Sequence, residues 1–357
     1  MFSLAVVVAV RLWILPPPVE NGESRIDARS LYPEVSRLIS EHYVDPVKPG
    51  DAWPAAYSAL LKRLDPFSAY VPPRLIPASR GWREGRGYWA GIWIRHTPRG
   101  YKVSRILPAQ SAVARDFRVG DVLESIDGIG LTGETWGTAR LLLYSPVKRE
   151  FKLGVHREGL AESTHMALPA LPLPGDLEIR RLSPDTRVMH IYRITPAAVK
   201  AVDAGLKAHP RHKWIIDLRN YMYGDLAACL SLADLLLPPL SRLELRSRNA
   251  TQRIRAGNPK ESPPRMAVLT GASTIMYAEI LARLAQAAGY PLMGERTGGF
   301  TAHLFRSPLP DGGELVIPDG YFFWDGKDIR HASLTPRANP DGDESLLGLA
   351  RTVLEEY

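Results

Sequence analysis

Ser273, Thr274 and Met276 stand where an apolar run, Met266 to Leu269, passes through a small-residue turn into a helical pattern from about Ile275. A strand-to-helix corner suits a nucleophile, because unpaired N–H groups at a helix N-terminus can receive an oxyanion. The first helical turn offers Met276, whose thioether can neither attack a carbonyl nor lose a proton. Ser273 and Thr274 carry hydroxyls, and His303 is a base of suitable type. The ordinary role of a Ser just before a helix is an N-cap, and that role is expected for Ser273. Arg296 is no base, since a guanidinium stays protonated.

Other reactive types are sparse. His209 and His212 in HPRH have metal-like spacing, but no carboxylate or cysteine nearby completes a shell, and a solvated loop is expected. No metal or other cofactor is expected. The single cysteine, Cys229, excludes an intrachain disulfide framework and a multi-cysteine metal site. The net charge of +7 comes from 45 basic and 38 acidic residues, and the basic ones are scattered without one dense run or aromatic interleaving. That pattern argues against nucleic acid as a partner.

These residues must be positioned by elements, and the 357-residue chain divides into parts. Residues 1–29 open with MFSLAVVVAVRLWILPPP, apolar over 1–15 apart from Ser3 and Arg11, but shorter than the roughly 20 residues of a spanning helix and without a clear cleavage site. It reads as a short signal anchor tethering the chain in the cell envelope or periplasm, with a leader docked on the fold as the alternative. Residues 30–86 carry apolar side chains at helical spacing (Leu31, Val35, Leu38, Ile39; Trp53, Tyr57, Leu60, Leu61), broken at Pro46 and Pro49-Gly50. A helical hairpin is expected there, followed by a Pro- and Arg-rich linker, YVPPRLIPASRGWREGRG. Residues 87–160 turn to short strands (GIWI, YKVSRIL, DVLESIDG, EFKLGVHR) around a helix candidate, GETWGTARLLLY. From 161 to 357 strands and helices alternate, as an α/β core with a mostly parallel sheet requires. A late hairpin is expected through Asp311-Gly312-Gly313.

The ordered set GYWAGIWI, VSRILPAQSAVARDFRVGDVLESIDGIGL and FKLGVHREG resembles a PDZ domain. That resemblance implies capture of a peptide's terminal carboxylate by backbone N–H groups of Gly91, Ile92, Trp93 and Ile94. The peptide would add as a strand, with its last side chain near Leu141 and Leu142. With SEHYVDPV, LLKRLDPFSAYV, IIDLRN, VLTGAST, GERTGG and SPLPDGGELVIPDGYFFW, the chain from about residue 30 resembles the C-terminal-processing peptidases, or tail-specific proteases. The fold so implied is multidomain α/β: helical hairpin, PDZ-like β domain and peptidase-like core.

That resemblance places Met276 at the nucleophilic Ser, three residues before Glu279. It places Phe300 at the Lys general base, and Tyr223 at the first Gly of the oxyanion segment. None of the three suits its role, since Tyr at a glycine position supplies neither positive φ nor clearance. The implied function is recognition of protein C-terminal tails by a catalytically silent relative of the serine peptidases. Two alternatives stay open: an active endopeptidase with a relocated Ser273 nucleophile and His303 as base, and a structural partner of an active paralogue or an envelope complex.

Overall fold

Unbroken apolar runs seat their strands where both faces are covered, and the centre of this fold shows it. Lys213–Asp217 and Met266–Thr270 lie side by side, with Ile215, Ala267 and Leu269 fully buried. The computed structural model describes residues 28–42, 49–65, 67–107, 110, 117–157, 163–257, 263–338 and 343–356. The expected leader, the Pro46 break of the helical hairpin and residues 108–109 and 111–116 of the PDZ-like set lie outside them. Among the described residues no helix is long and apolar enough to cross a membrane.

Two compact units divide the chain, 1–52 and 53–357. In the first, the helix Ala28–His42 leaves Val35, Leu38 and Ile39 exposed. The helix Pro49–Leu64 leads into the second, within which everything below falls. The stretch expected as a linker is ordered instead. Ala69–Val71 pairs antiparallel with the long strand Glu314–Trp324, a 3₁₀ turn occupies Pro73–Leu75, and the helix Ile76–Glu84 follows. Its prolines sit where each is tolerated, at helix and turn starts rather than in interiors.

Residues 92–169 form a six-stranded antiparallel sheet in the order Ile92–Thr97, Gly100–Ile106, Val122–Ile126, Glu150–His156, Thr164–Pro169, with Ile129–Gly130 paired to the third. The sheet runs past residue 160, and Ile92–Thr97 is an edge strand. The helix Trp136–Leu142 packs beside that edge, its N-terminus capped by Thr135 accepting from the Thr138 N–H.

The core sheet runs Leu177–Arg181, Thr186–Ile191, Lys213–Asp217, Met266–Thr270, Leu292–Gly294. Its first pair is antiparallel and the next three are parallel. The helices Leu226–Leu236 and Met276–Ala287 pack together beside it, and the terminal helix Asp343–Glu356 covers the opposite side with Leu346, Leu347 and Leu354. A mostly parallel sheet does not describe the chain as a whole, because antiparallel pairings dominate. Besides the 92–169 sheet, Leu240–Ser247, Thr251–Ala256, Ala302–Pro308 and Glu314–Trp324 form an antiparallel sheet. The hairpin through Asp311-Gly312-Gly313 is present, with Asp311 accepting from the Gly313 N–H. The Leu240–Ala256 hairpin was not anticipated, because its strands are rich in arginine and poor in β-branched and aromatic residues.

Candidate functional site

The corner after Met266–Thr270 is built by one hydroxyl. Thr274 Oγ1 accepts from the Gly271 N–H at 2.9 Å and donates to the Leu218 carbonyl at 3.0 Å, while its own N–H closes the turn onto Gly271 O at 2.8 Å. Ile275 is extended and is the N-cap, without a side-chain capping bond. Ser273 is therefore not the cap; it lies in the turn, where its hydroxyl makes no hydrogen bond among the described residues. Met276 opens the helix at φ +52°, a left-handed conformation rare for a residue with a long side chain. Such strain is of order 1–3 kcal/mol and persists only where the surroundings over-determine it.

The surroundings here are the loop 297–300. Phe300 O accepts from the Met276 N–H at 2.6 Å, and the Phe300 N–H donates to Glu279 Oε2 at 2.9 Å. Thr297 Oγ1 donates to Glu279 Oε1 at 2.5 Å and accepts from the Leu334 N–H at 2.7 Å. Glu279 is fully buried, and burial raises its pKa although Thr297, the Phe300 N–H and the Arg283 charge pull the other way. Only glycine fits at 298: a Cβ there would stand 2.3 Å from Ile275 Cγ2 and 2.8 Å from the Ala272 carbonyl. The N–H of Met276, first in the helix, is thus already bonded to the protein's own backbone.

Tyr223 arrives on a two-residue strand, Tyr223–Gly224, paired parallel with Arg193–Ile194. The segment before it is anchored at Asp217, which accepts from Arg219 Nε at 2.9 Å and Nη2 at 2.7 Å. His190 Nδ1 lies 3.0 Å from the same carboxylate, and Arg180 donates to His190 Nε2, which leaves Nδ1 as the N–H. Burial alone would raise the Asp217 pKa, but His190 and Arg219 hold it well below the usual carboxylate range.

Two adjoining cavities meet at this corner. The first, about 510 Å³, is lined by Ser273, Ile275, Phe300 and His331, by the edge-strand residues Ile92 to His96, and by Trp82, Trp89 and Trp136. The second, about 260 Å³, is lined by Met276, Tyr223, His303 and Leu141. Phe67, Trp82, Trp136, Arg140 and Tyr221 line both. Met276 and Tyr223 thus share one cavity, and Phe300, joined to Met276 through its backbone, walls the other. Phe67 stacks on the Phe300 ring.

The remaining sequence candidates are distributed as follows. Ser273 and His303 line different cavities and are not brought together. His303 Nδ1 instead meets Asp319 Oδ1 at 2.6 Å. Ile92, Trp93 and Ile94 border the first cavity; Gly91 lies just before them at φ +71°, and its carbonyl accepts from the Leu107 N–H. Leu141 faces the second cavity, and Leu142 is buried in the hydrophobic core. The rings of His209 and His212 lie 4.9 Å apart, with Arg187 donating to His212. Among the described residues no group of three or more His, Cys, Asp or Glu gathers as a metal shell. Sequence reasoning missed Glu279 and Thr297 as organisers, and Arg140, a half-buried cation in both cavities.

Residues 186–339 match the sequence model of Peptidase family S41. A solved structure described as the photosystem II D1 C-terminal processing protease shares the fold, with TM-score 0.63 and 20% identity over 88% of this chain and 93% of that one. An S41 protease from Bacteroides fragilis aligns over 90% of this chain and 97% of that one, at 15% identity and TM-score 0.47. A PDZ domain of the carboxy-terminal protease from Vibrio cholerae, in complex with peptide, aligns over 24% of this chain and 93% of that one, at 16% identity and TM-score 0.22. No curated protein sequence matches the chain.

Proposed function

We propose that the protein, whose residues 186–339 match the sequence model of Peptidase family S41, binds the C-terminal tails of other proteins and does not cleave them. The Met276 N–H bond to Phe300 O carries the second half of this proposal. An oxyanion hole needs free donors aimed at the developing charge, and this donor is spent. The side chains at the corner supply no nucleophile–base pair either: Met276 lacks a labile proton, and Phe300 offers carbon.

The first half rests on the sheet of residues 92–169, read as a PDZ-like domain. Its edge strand Ile92–Thr97 borders the larger cavity, so a tail added along that edge would run toward the corner. One acceptor of the edge is already engaged, since Trp136 Nε1 donates to the Ile94 carbonyl at 3.3 Å. Residues 1–15 are proposed to hold the protein at the cell envelope.

The test uses the whole chain with an unfolded protein ending in an apolar tail. Fluorescence anisotropy of the labelled tail should show saturable binding, and mass spectrometry should show no shortened product. Tail cleavage that disappears in Ser273→Ala would replace this proposal with an active peptidase built on a relocated serine.

A further inference from the structure

The larger cavity has an unusual electrical character for a site walled by aromatics. Its lining contains Arg95, Arg140 and Arg296 together with His96 and His331, and no Asp or Glu. Arg95 and Arg296 are exposed and solvated, whereas Arg140 is not. Its guanidinium lies over Trp136 at 4.3 Å and Trp82 at 5.2 Å, and donates to the Met222 carbonyl at 2.8 Å. It makes no ion pair among the described residues. Burial lowers its pKa to about 10, so it remains charged at neutral pH. A partly desolvated cation held by ring faces and one carbonyl is electrostatically undercompensated.

Two further donors point to the same need. Trp89 and Trp93 are 2% and 6% exposed, line this cavity and pack edge to face at 4.6 Å. Neither indole N–H finds an acceptor among the described residues. Buried donors are nearly always paired, and each one left alone costs about 1–3 kcal/mol. The cavity wall therefore combines flat apolar surface with unpaired donors and positive charge.

We propose that this cavity binds a carboxylate carried on a flat apolar group, with Arg140 as the counter-charge. Resting on the tail-binding proposal above, the carrier is a protein tail that ends in an aromatic residue. The terminal carboxylate would then be read by side chains, Arg140 foremost, rather than by the backbone N–H groups of Gly91 to Ile94. The last ring would lie among Trp82, Trp93 and Trp136.

Calorimetry on the full chain tests this with three probes: the peptide Ala-Ala-Val-Ala-Phe as free acid, the same peptide as C-terminal amide, and 3-phenylpropionate. On the wild-type protein the acid should bind roughly 10- to 100-fold more tightly than the amide, the worth of a charge-assisted hydrogen bond. Arg140→Gln should erase that difference, and Trp93→Phe, which removes only a donor and some ring area, should reduce it. Acid and amide binding alike to wild type would overturn the site, whatever the variants do. So would a preference for the acid that survives in folded Arg140→Gln, and both results would leave tail binding standing. Arg140-dependent binding of 3-phenylpropionate with neither peptide bound would uphold the carboxylate site and overturn tail binding.

Discussion

Replacing Thr297 by valine removes one oxygen and keeps the shape, so its effect isolates the relay between Leu334 and Glu279. In the wild type a single hydroxyl accepts from the Leu334 N–H at 2.7 Å and donates to Glu279 at 2.5 Å, with Thr297 only 4% exposed. Valine strands a buried N–H and takes a hydrogen bond from a buried carboxylate. Each orphaned group costs about 1–3 kcal/mol, so a loss of about 3 kcal/mol is expected. With a urea slope of roughly 3 kcal/mol/M, that loss lowers the unfolding midpoint by about 1 M. Circular dichroism at 222 nm reads the transition. The pH dependence supplies a second signature. Burial already raises the folded pKa of Glu279, so its folded state favours the proton relative to the unfolded chain. The corresponding stability is fully present below the unfolded value, roughly 4.3, and falls away as pH rises through the folded value. Losing the Thr297 hydrogen bond raises the folded pKa further and extends that decline to higher pH. A midpoint shift under about 0.3 M, or a pH profile parallel to wild type, would show that the relay does not organise the corner.

Met276→Ser should leave tail cleavage undetectable by mass spectrometry, because Phe300 still occupies the base position and its carbonyl still accepts the residue 276 N–H. Adding Phe300→Lys should yield at most a trace, since a missing oxyanion donor alone costs about 10²–10³ in rate. Gly298→Ala should destabilise by about 1–3 kcal/mol in the same urea assay, because its methyl meets Ile275 and the Ala272 carbonyl. Asp217, whose pKa is held low by His190 and Arg219 against the raising effect of burial, should contribute stability above the unfolded value of roughly 3.9 and lose it as pH falls. Asp217→Asn should therefore flatten the acid limb of a thermal-melting profile.

The corner itself was legible in the sequence because its signals are local: an apolar run, small residues, then a 3.6-residue period beginning near Ile275. The gathering of Met276 and Tyr223 around one cavity, with Phe300 at its neighbour, followed only from the family resemblance, since no spacing rule joins residues 223, 276 and 300. What closes the site was not legible. The Met276 N–H and the Phe300 carbonyl are backbone groups that any residue pair carries, and their bond depends on a glycine at 298 and a carboxylate at 279. Arg140 was read past because an arginine on a short amphipathic helix is ordinarily solvated; only tertiary packing between Trp82 and Trp136 buries it. The stretch 70–87 looked like a linker because proline and arginine are frequent there, yet its first residues complete a sheet whose other strand lies far down the chain. The Leu240–Ala256 hairpin escaped notice because its exposed strands carry arginine in place of the β-branched and aromatic residues that mark a strand.

That pairing of Ala69–Val71 with the strand Glu314–Trp324 has a consequence for how the molecule is made. The partners are separated by roughly 250 residues, so at about 5–20 residues per second a ribosome needs on the order of tens of seconds to supply the second after the first. Throughout that interval Tyr70 and Val71, 4% and 1% exposed in the finished fold, have no strand to cover them. The contact is also among the most non-local in the chain, and closing so long a loop must precede any reward from it. The 92–169 sheet, whose strands are all near neighbours in sequence, can form during synthesis. The pairing of Ala69–Val71 forms only after the strand Glu314–Trp324 has left the ribosome, and until then Tyr70 and Val71 stay open to chaperones.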